Sequence, residues 1–559
     1  MNESPINAAI RFEPDAFDMT GPLLMGRQAA GYGFLRAAIA AHGQAPLVGY
    51  GPALGGGKAF AGLVGRLDPA AKTDWVRSDN LDRLGEIGVC YRPDPALGKD
   101  ARLRLRVGAA RYSLCGVTHT LSSGRAADSV TDLLVAPMMP WDAVISTSTA
   151  GLAVVESMLD EQAAYLAWRF PGAPPPPRPQ LPVIPLGVHA ADYDRPQGDR
   201  TRARAALAIG EGEVAALYAG RLALSDKAHP FAMLVALQAA AERTTRSVAL
   251  IVAGRFADKM VETAWRSGVE TFCPKVRCIF VDGGQFDAYQ DAWAAADFFV
   301  SAADSVQETF GLTPLEAMAA GLPCVVSDWN GYRDTVRDGI DGFRVRTWAP
   351  PVGAGEPLAR IFETEVIGDG MYCWRMALSV AVDLEELTGR LGDLIDNADL
   401  RRRMGEAGRQ RARETFEWSV VYRQYQALWG ELNDRRRAVS GRREDVARVA
   451  GAPRATAGRF DPFKTFAHYA TGAISEATLA RLAPGASLER YREIAAHGLF
   501  MEPFRGSTHA TALLAALGAD EASVASLAQR AGMSVFDISN ALAILTKMGV
   551  VRLREGGEA

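Results

Sequence analysis

Short apolar runs alternate with longer amphipathic segments through most of the chain. Typical runs are VAALYAG at 214–220, VALIVAG at 248–254 and DFFVSAAD at 297–304, and each is ended by Gly, Ser or Asp. Between them lie segments such as PFAMLVALQAAAERTT, in which apolar residues recur at helical spacing. This repeated alternation predicts an α/β fold built from parallel βα units in doubly wound sheets.

The alternation is interrupted at PGAPPPPRPQLP (171–182), where the proline density excludes a helix interior or a central strand. We therefore predict two Rossmann-like domains facing across a cleft, an N-terminal domain over 1–190 and a second over 191–432 with closing helices. An Arg-rich linker and helical segment is expected over 433–505. Its basic run is either a solvated face or a contact for an acidic surface or a membrane.

The last stretch, 506–559, has the helix–turn–helix–strand pattern of a winged helix-turn-helix-like module. Its second predicted helix carries few basic side chains, and a DNA reader needs them for phosphate contacts. The pattern therefore favours a protein partner or a homo-oligomer contact through 506–559 over DNA binding.

The formal net charge of −4 over 559 residues gives no general attraction to nucleic acid. The N-terminus lacks the basic and apolar regions of a signal peptide, and no apolar run reaches the length of a membrane span. Six scattered cysteines are typical of buried free thiols. We expect a cytoplasmic protein, with peripheral contact at the inner face of the membrane left open.

The stretch ETFGLTPLEAMAAGLPCVVS holds two carboxylates, Glu308 and Glu316, on either side of a predicted helix start. Thr313 is expected as the N-cap, with Glu316 completing a capping box. The helix start follows a strand, so the amides of Gly311 and Leu312 are placed to attract phosphate. Glu308 lies before the helix, so a helix cap does not explain it.

Three further candidates carry weaker signals. Arg221 and Lys227 follow the strand VAALYAG and would either neutralise a diphosphate or lie exposed in a loop. His119 follows an apolar strand in a Thr-His-Thr sequence, where it is either structural or part of a site. Gly26 precedes an amphipathic helix, as a phosphate-approaching turn would.

These pieces occur together in one known family. The segment SAADSVQETFGLTPLEAMAAGLPCVVSDWNGYRDTVRDGIDGFRV, with seven residues between its two glutamates, resembles the family 4 glycosyltransferases, which are retaining enzymes of GT-B architecture. VIPLGVHAADY resembles the family's entry into its second domain, and the resemblance covers roughly residues 15–430. A long insertion, 347–377, replaces a short loop of the family, and would form a lid, an acceptor wall or an oligomer contact.

The resemblance implies transfer of a sugar from a UDP- or GDP-sugar donor to an unknown glycan, lipid or protein acceptor with retention, in polysaccharide or glycoconjugate biosynthesis. No metal or other cofactor is expected. The implied catalytic residues are His119, Glu308, Arg221 and Lys227. The implied donor-binding residues are Gly26, Arg221, Lys227, Glu308, Phe310, Gly311, Leu312, Thr313 and Glu316. The alternative is a regulatory or scaffold protein with a silent sugar-nucleotide-binding core and a winged-helix interaction module.

Overall fold

The computed structural model describes residues 7–19, 26–52, 55–194, 197–224, 227–455, 457–500, 508–518 and 520–556. The chain divides into two compact units, Met1–Ala455 and Thr456–Ala559. The first unit contains two six-stranded parallel sheets, each covered by helices, so the predicted α/β architecture with two Rossmann-like domains is confirmed.

The first sheet has the strand order β3-β2-β1-β4-β5-β6. Along β5, Cys115 and Val117 enter one hydrophobic core while Leu114 enters the other, which is why helices are needed on both faces. The strands are β1 (Ala9–Arg11), β2 (Leu47–Gly51), β3 (Thr73–Arg77), β4 (Val89–Tyr91), β5 (Ser113–Val117) and β6 (Ala143–Ile145). The helices are α1 (Gly26–His42), α2 (Gly56–Leu67), α3 (Leu81–Ile87), α4 (Gly98–Arg104), α5 (Gly124–Thr131) and α6 (Thr149–Arg169).

The second sheet has the order β12-β11-β10-β7-β8-β9. Its strands are β7 (Val214–Ala219), β8 (Val248–Gly254), β9 (Arg277–Asp282), β10 (Phe298–Ser301), β11 (Cys324–Ser327) and β12 (Gly342–Val345). Its helices are α7 (Gln197–Ala206), α8 (Pro230–Arg243), α9 (Lys259–Phe272), α10 (Phe286–Ala295), α11 (Leu312–Ala319) and α12 (Tyr332–Thr335). The insertion follows as β13 (Thr347–Trp348), α13 (Glu356–Glu363), α14 (Asp369–Ala377) and β14 (Ala381–Val382), and α15 (Leu384–Asp396) and α16 (Ala398–Thr415) complete the domain.

Both sheets share one topology. The first strand of each sheet, β1 or β7, lies between the second and the fourth strand of the same sheet. The crossover direction reverses beside that first strand, and the loops there diverge to leave a crevice at the carboxyl ends of the strands. Each domain therefore offers one such crevice.

The closing helix α17 (Trp418–Arg437) follows the second sheet in sequence but packs on the first. Trp418, Tyr425 and Trp429 belong to the same core as strands β1, β4 and β5. The Trp418 ring lies where Gly33 of α1 and Gly187 leave room for it. The chain thus crosses between the two domains twice.

The first part of the predicted linker segment packs within the first unit. Residues 433–455 belong to the first unit, where α18 (Arg443–Ala450) follows α17. Val439 and Val449 pack beside Trp141, so this segment is anchored by apolar contacts despite its many arginines. The predicted domain boundaries at 190, 432 and 505 stay predictions.

The second unit contains α19 (Pro462–Thr465), α20 (Leu488–Ala496), α21 (Thr508–Leu517), α22 (Val524–Ala531) and α23 (Val535–Lys547). Three antiparallel strands, β15 (Leu479–Leu482), β16 (Ala522–Ser523) and β17 (Val551–Arg554), are ordered β16-β15-β17. Ile538, Leu542 and Leu545 of α23 face the core of this unit, on the face that the sequence predicts. The start of the predicted module at 506 lies outside the described residues, and the winged-helix interpretation stays a prediction.

Within the described part of the chain, none of the helices combines the length and apolarity needed to cross a bilayer.

Candidate functional site

The crevice of the second sheet lies between β7 and β10, which pair in parallel. The loop after β7 contains Gly220, whose φ of 134° favours glycine, and then Arg221. The loop after β10 runs through residues 302–311 and ends at the start of α11. Both loops therefore open at the same edge of the sheet, as the sequence predicts.

Lys227 and Glu308 meet across these two loops. The Lys227 ammonium lies 2.5 Å from a Glu308 carboxylate oxygen. The Glu308 side chain is 9% exposed and that of Lys227 is 28% exposed. The amide of Asn330 donates to the Glu308 carbonyl at 2.6 Å and holds this part of the loop. The two residues that the sequence places 81 positions apart thus form one charged pair.

The backbone at Gly311 is shaped by Tyr332. Gly311 has φ 91° and precedes the first residue of α11. A Cβ at this position would overlap the ring of Tyr332, which is buried and bonded to Ser301 through its hydroxyl at 3.1 Å. Only glycine combines this φ with so close an approach. The N-terminus of α11 is thereby held against the carboxyl end of β10.

The predicted capping box is wrong. The N-cap of α11 is Gly311, and no side chain caps this helix. Thr313 lies inside the first turn, where its hydroxyl bonds the Tyr332 hydroxyl and its methyl group faces Gly220. Close packing against Tyr332 starts the helix two residues earlier than the Thr-x-x-Glu pattern indicates, so Glu316 has no capping role.

Glu316 instead lies half-buried behind the charged pair. Burial raises the pKa of the Glu316 carboxyl to about 7, against opposing effects of a hydrogen bond from Tyr193 and the positive charge of Lys227. Burial likewise raises the pKa of Asp304 to about 7, although the backbone N–H of His229 donates to it at 3.2 Å. Two carboxyl groups that titrate near neutral pH therefore flank Glu308.

His119 approaches this site from the first domain. It follows β5, and burial together with the charge of Arg27 lowers the pKa of its imidazole to about 4. Its Nε2 atom is buried and has no hydrogen-bond partner among the described residues. His119 is therefore a neutral imidazole at pH 7, and it lines a small cavity of the first domain together with Phe34 and Trp418.

The two domains of the first unit touch along the rim of the crevice. The Thr120 hydroxyl donates to the Gln307 carbonyl at 3.4 Å, which brings the His119 loop beside the Glu308 loop. The Ser148 hydroxyl caps α6 and donates to the Thr309 carbonyl at 2.7 Å. Each of these contacts is a single hydrogen bond from a polar side chain. It can therefore break without exposing apolar core if the crevice opens.

The insertion also reaches the first domain. The Gly124 N–H donates to Asp369 of α14 at 3.0 Å, and the Cys373 thiol lies 3.4 Å from the Ser122 hydroxyl. Phe362 of α13 stacks on Tyr372 with 4.4 Å between ring centroids, on the side facing Gly124. The insertion therefore spans the crevice three to five residues beyond His119.

The other implied residues differ in placement. Arg221, Leu312 and Thr313 lie at the crevice, half-buried. The Phe310 side chain is buried in the core behind the loop, so it supports the site from inside. Gly26 begins α1, is exposed, and has open space around it. Asp304, Asn330 and Tyr193 were missed, because nothing in the local sequence indicates which strand end or side chain each of them approaches.

The described crevice residues resemble known proteins in sequence and fold. Residues 213–354 match the family model for glycosyl transferases group 1. The D-inositol 3-phosphate glycosyltransferase of Nocardia farcinica is 32% identical over 194 residues, which cover 32% of this chain and 40% of the relative. The lipopolysaccharide 1,2-N-acetylglucosaminetransferase of Salmonella typhimurium is 30% identical over 182 residues, covering 30% and 44%. The chain thus spans less than half the length of these curated relatives.

One solved structure shares the two-domain arrangement. Anabaena HepE in complex with UDP superposes with a TM-score of 0.51 at 14% identity, and the match covers 76% of this chain and 100% of that one. At this identity the likeness shows the GT-B fold alone.

Proposed function

Since residues 213–354 form a glycosyl transferases group 1 domain, we propose that this chain is a retaining glycosyltransferase that uses a UDP- or GDP-sugar. The observation that carries the proposal is the Lys227–Glu308 pair at the crevice, beside the glycine-shaped start of α11. The similarity to glycosyltransferases and to a structural neighbour in complex with UDP supports a nucleotide-sugar donor.

The donor diphosphate would lie between the two loops of the second domain. Arg221 and Lys227 would supply positive charge there, and the backbone N–H groups of Gly311 and Leu312 lie at the start of α11, where a helix attracts phosphate. On donor binding Lys227 would share its charge between Glu308 and the phosphate. These groups are fixed before the reaction begins, which is how preorganised charges stabilise a leaving group.

Glu316 would accept hydrogen bonds from the ribose hydroxyls. A carboxylate accepts two such bonds, whereas its protonated form offers weaker acceptors. Because burial raises the pKa of Glu316 to about 7, donor affinity should rise as the pH increases through neutrality. This makes the proposed role measurable by binding alone.

We propose the following reaction at these positions. The bond between the anomeric carbon and the diphosphate oxygen breaks while the acceptor oxygen bonds to the same face of that carbon. The acceptor proton passes to the leaving phosphate oxygen, so charge and atoms balance. Glu308 would face the sugar, where a carboxylate stabilises positive charge developing on the ring. His119 would donate to or accept from a sugar hydroxyl while remaining neutral.

We propose that this step needs no divalent metal, since Arg221, Lys227 and α11 stand where a metal would balance the diphosphate. Addition of a chelator should leave the rate unchanged. The acceptor would be a glycan, lipid or protein in polysaccharide or glycoconjugate biosynthesis on the cytoplasmic side of the membrane.

The test measures nucleotide release from UDP- and GDP-sugars by the purified full chain. Glu308→Gln and Lys227→Met should each lower kcat by roughly a hundredfold or more. The matched controls Glu406→Gln and Lys259→Met change exposed residues of the same types and should leave kcat unchanged. If no donor is bound or consumed, a regulatory or scaffold protein becomes the better interpretation.

A further inference from the structure

The second unit begins with a segment that is exposed almost throughout. In residues 458–473, here named the aromatic segment, only Thr465 is not exposed. Phe460 is 44% exposed, Phe463 78%, Phe466 46% and Tyr469 76%. Single exposed apolar residues are ordinary, but four aromatic rings within ten positions indicate a surface that has a partner.

The four aromatic residues occur at every third position, in a segment whose backbone forms short helical turns. The segment is folded as successive single turns over Ala457–Arg459, Pro462–Thr465 and Ala467–Tyr469. The ring centroids of Phe460 and Phe466 are 6.0 Å apart, and those of Phe466 and Tyr469 are 5.3 Å apart. The rings of Phe460, Phe466 and Tyr469 therefore form one cluster, and Phe463, which lies between them in sequence, is separately exposed.

The turn that presents Phe463 is fixed locally. Asp461 caps α19 by accepting from the Phe463 N–H at 2.9 Å, and Pro462 occupies the first position of that helix. The exposed Phe463 ring is thus held outward by its own backbone. A collapsed loop would instead fold its rings against the protein.

The sequence that leads into the aromatic segment is basic. Residues 435–464 contain eight arginines and one lysine against three acidic residues, whereas the whole chain has a net charge of −4. Within the aromatic segment itself, Arg459 and Lys464 lie next to Phe460 and Phe463, and Asp461 is the acidic residue between them. The basic run that the sequence leaves open between a solvated face and a membrane contact therefore leads directly into the aromatic segment.

We propose that the aromatic segment docks this chain on an anionic lipid bilayer. Aromatic rings settle at the boundary between headgroups and acyl chains, and basic side chains near the surface attract anionic lipids. Stable peripheral binding takes two such signals together, and this segment has both. The proposal is independent of the proposed function.

A second aromatic patch provides an internal comparison. At the end of α6, Tyr165, Trp168 and Phe170 are all more than half exposed. Residues 160–178 around them contain two acidic and two basic residues, so this patch has no excess charge. It tests whether exposed rings alone are sufficient.

The experiment is vesicle flotation of the full chain. Vesicles of phosphatidylcholine with about a third phosphatidylglycerol should carry the protein at low salt, and pure phosphatidylcholine should carry roughly tenfold less. Phe463→Ser with Tyr469→Ser, and separately Arg459→Gln with Lys464→Gln, should each lower the bound fraction about tenfold or more. The control Trp168→Ser should bind as the unchanged protein does.

Several results would overturn the proposal. Equal binding to neutral and anionic vesicles removes the electrostatic part, and undiminished binding of the Phe463/Tyr469 variant removes the aromatic part. Loss of binding in Trp168→Ser alone would move the contact to α6. If the unchanged protein does not bind vesicles and is a dimer in light scattering, and the Phe463/Tyr469 variant is a monomer, the aromatic segment contacts a second copy of the chain instead. Equal unfolding temperatures of all variants confirm that the fold is intact.

Discussion

Glu316→Gln should change how the stability of this protein depends on pH. The carboxyl has an ordinary pKa of 4.5, and in the folded protein burial raises it to about 7. Between these two values the folded state holds a proton that the unfolded state has released. Stability contributed by this group is therefore present at low pH and lost as the pH rises towards 7. A glutamine keeps the same shape without titrating.

The magnitude follows from the two pKa values. At 1.36 kcal/mol per pH unit, their difference corresponds to about 3 kcal/mol of stability lost by the wild-type protein between about pH 4.5 and pH 7. Asp304, whose pKa is also raised to about 7, makes the free energy of unfolding of both proteins fall with rising pH by a similar amount. The difference between variant and wild type therefore isolates Glu316.

Thermal unfolding measured from about pH 5 to pH 8 tests this. Relative to the wild type, Glu316→Gln should gain about 3 °C in unfolding temperature across that range, since the unit Met1–Ala455 has an unfolding entropy of about 1 kcal/mol/K. Glu406→Gln, at an exposed position of α16, is the matched control and should follow the wild-type curve. Parallel curves for Glu316→Gln and wild type would show that Glu316 titrates normally, and would remove the basis for a pH-dependent ribose contact.

Three other substitutions test the remaining geometry. Gly311→Ala should destabilise the protein by about 2–4 kcal/mol in thermal unfolding, since its Cβ overlaps a ring, whereas Gly26→Ala should have little effect; equal effects would contradict the close approach. Asp142→Ala should lower the free energy of unfolding by about 3–5 kcal/mol, because it leaves the fully buried guanidinium of Arg104 without its ion-pair partner. A loss under about 1 kcal/mol would be inconsistent with a buried Arg104–Asp142 ion pair. Asp369→Ala should raise the rate of proteolytic cleavage in α13 and α14 several-fold without changing the unfolding temperature, and no change would show that the Gly124 contact does not hold the insertion.

Much of the fold could be predicted because parallel strands leave a strong pattern. Runs such as VALIVAG are apolar throughout since both faces of β8 are covered, and the helices between strands carry their own period. The position of Glu308 relative to α11 could also be predicted, since it depends only on where a strand ends and a helix begins.

The failures concern residues whose neighbours are distant in sequence. The Thr-x-x-Glu pattern predicts a cap for α11, but the start of the helix is decided by Tyr332 packing on Gly311. Glu316 accepts a hydrogen bond from Tyr193, which lies before α7. Trp418 follows the second domain in sequence but packs in the core of the first. No periodic or spaced pattern in the sequence marks these contacts, so they are seen only in the packed structure.

Because α17 packs on the first sheet, the core of the first domain can be completed only after α17 has been synthesised. The aromatic side chains that cover β1, β4 and β5 begin at Trp418, so the N-terminal half emerges from the ribosome with that face of its core open. The second sheet, by contrast, has all its strands and its covering helices once residue 415 has been made. Domains generally fold as they emerge, but here the domain that is made first is completed last. A fragment that stops at residue 190 should aggregate, whereas one that joins residues 7–190 to 416–437 through a short linker should fold.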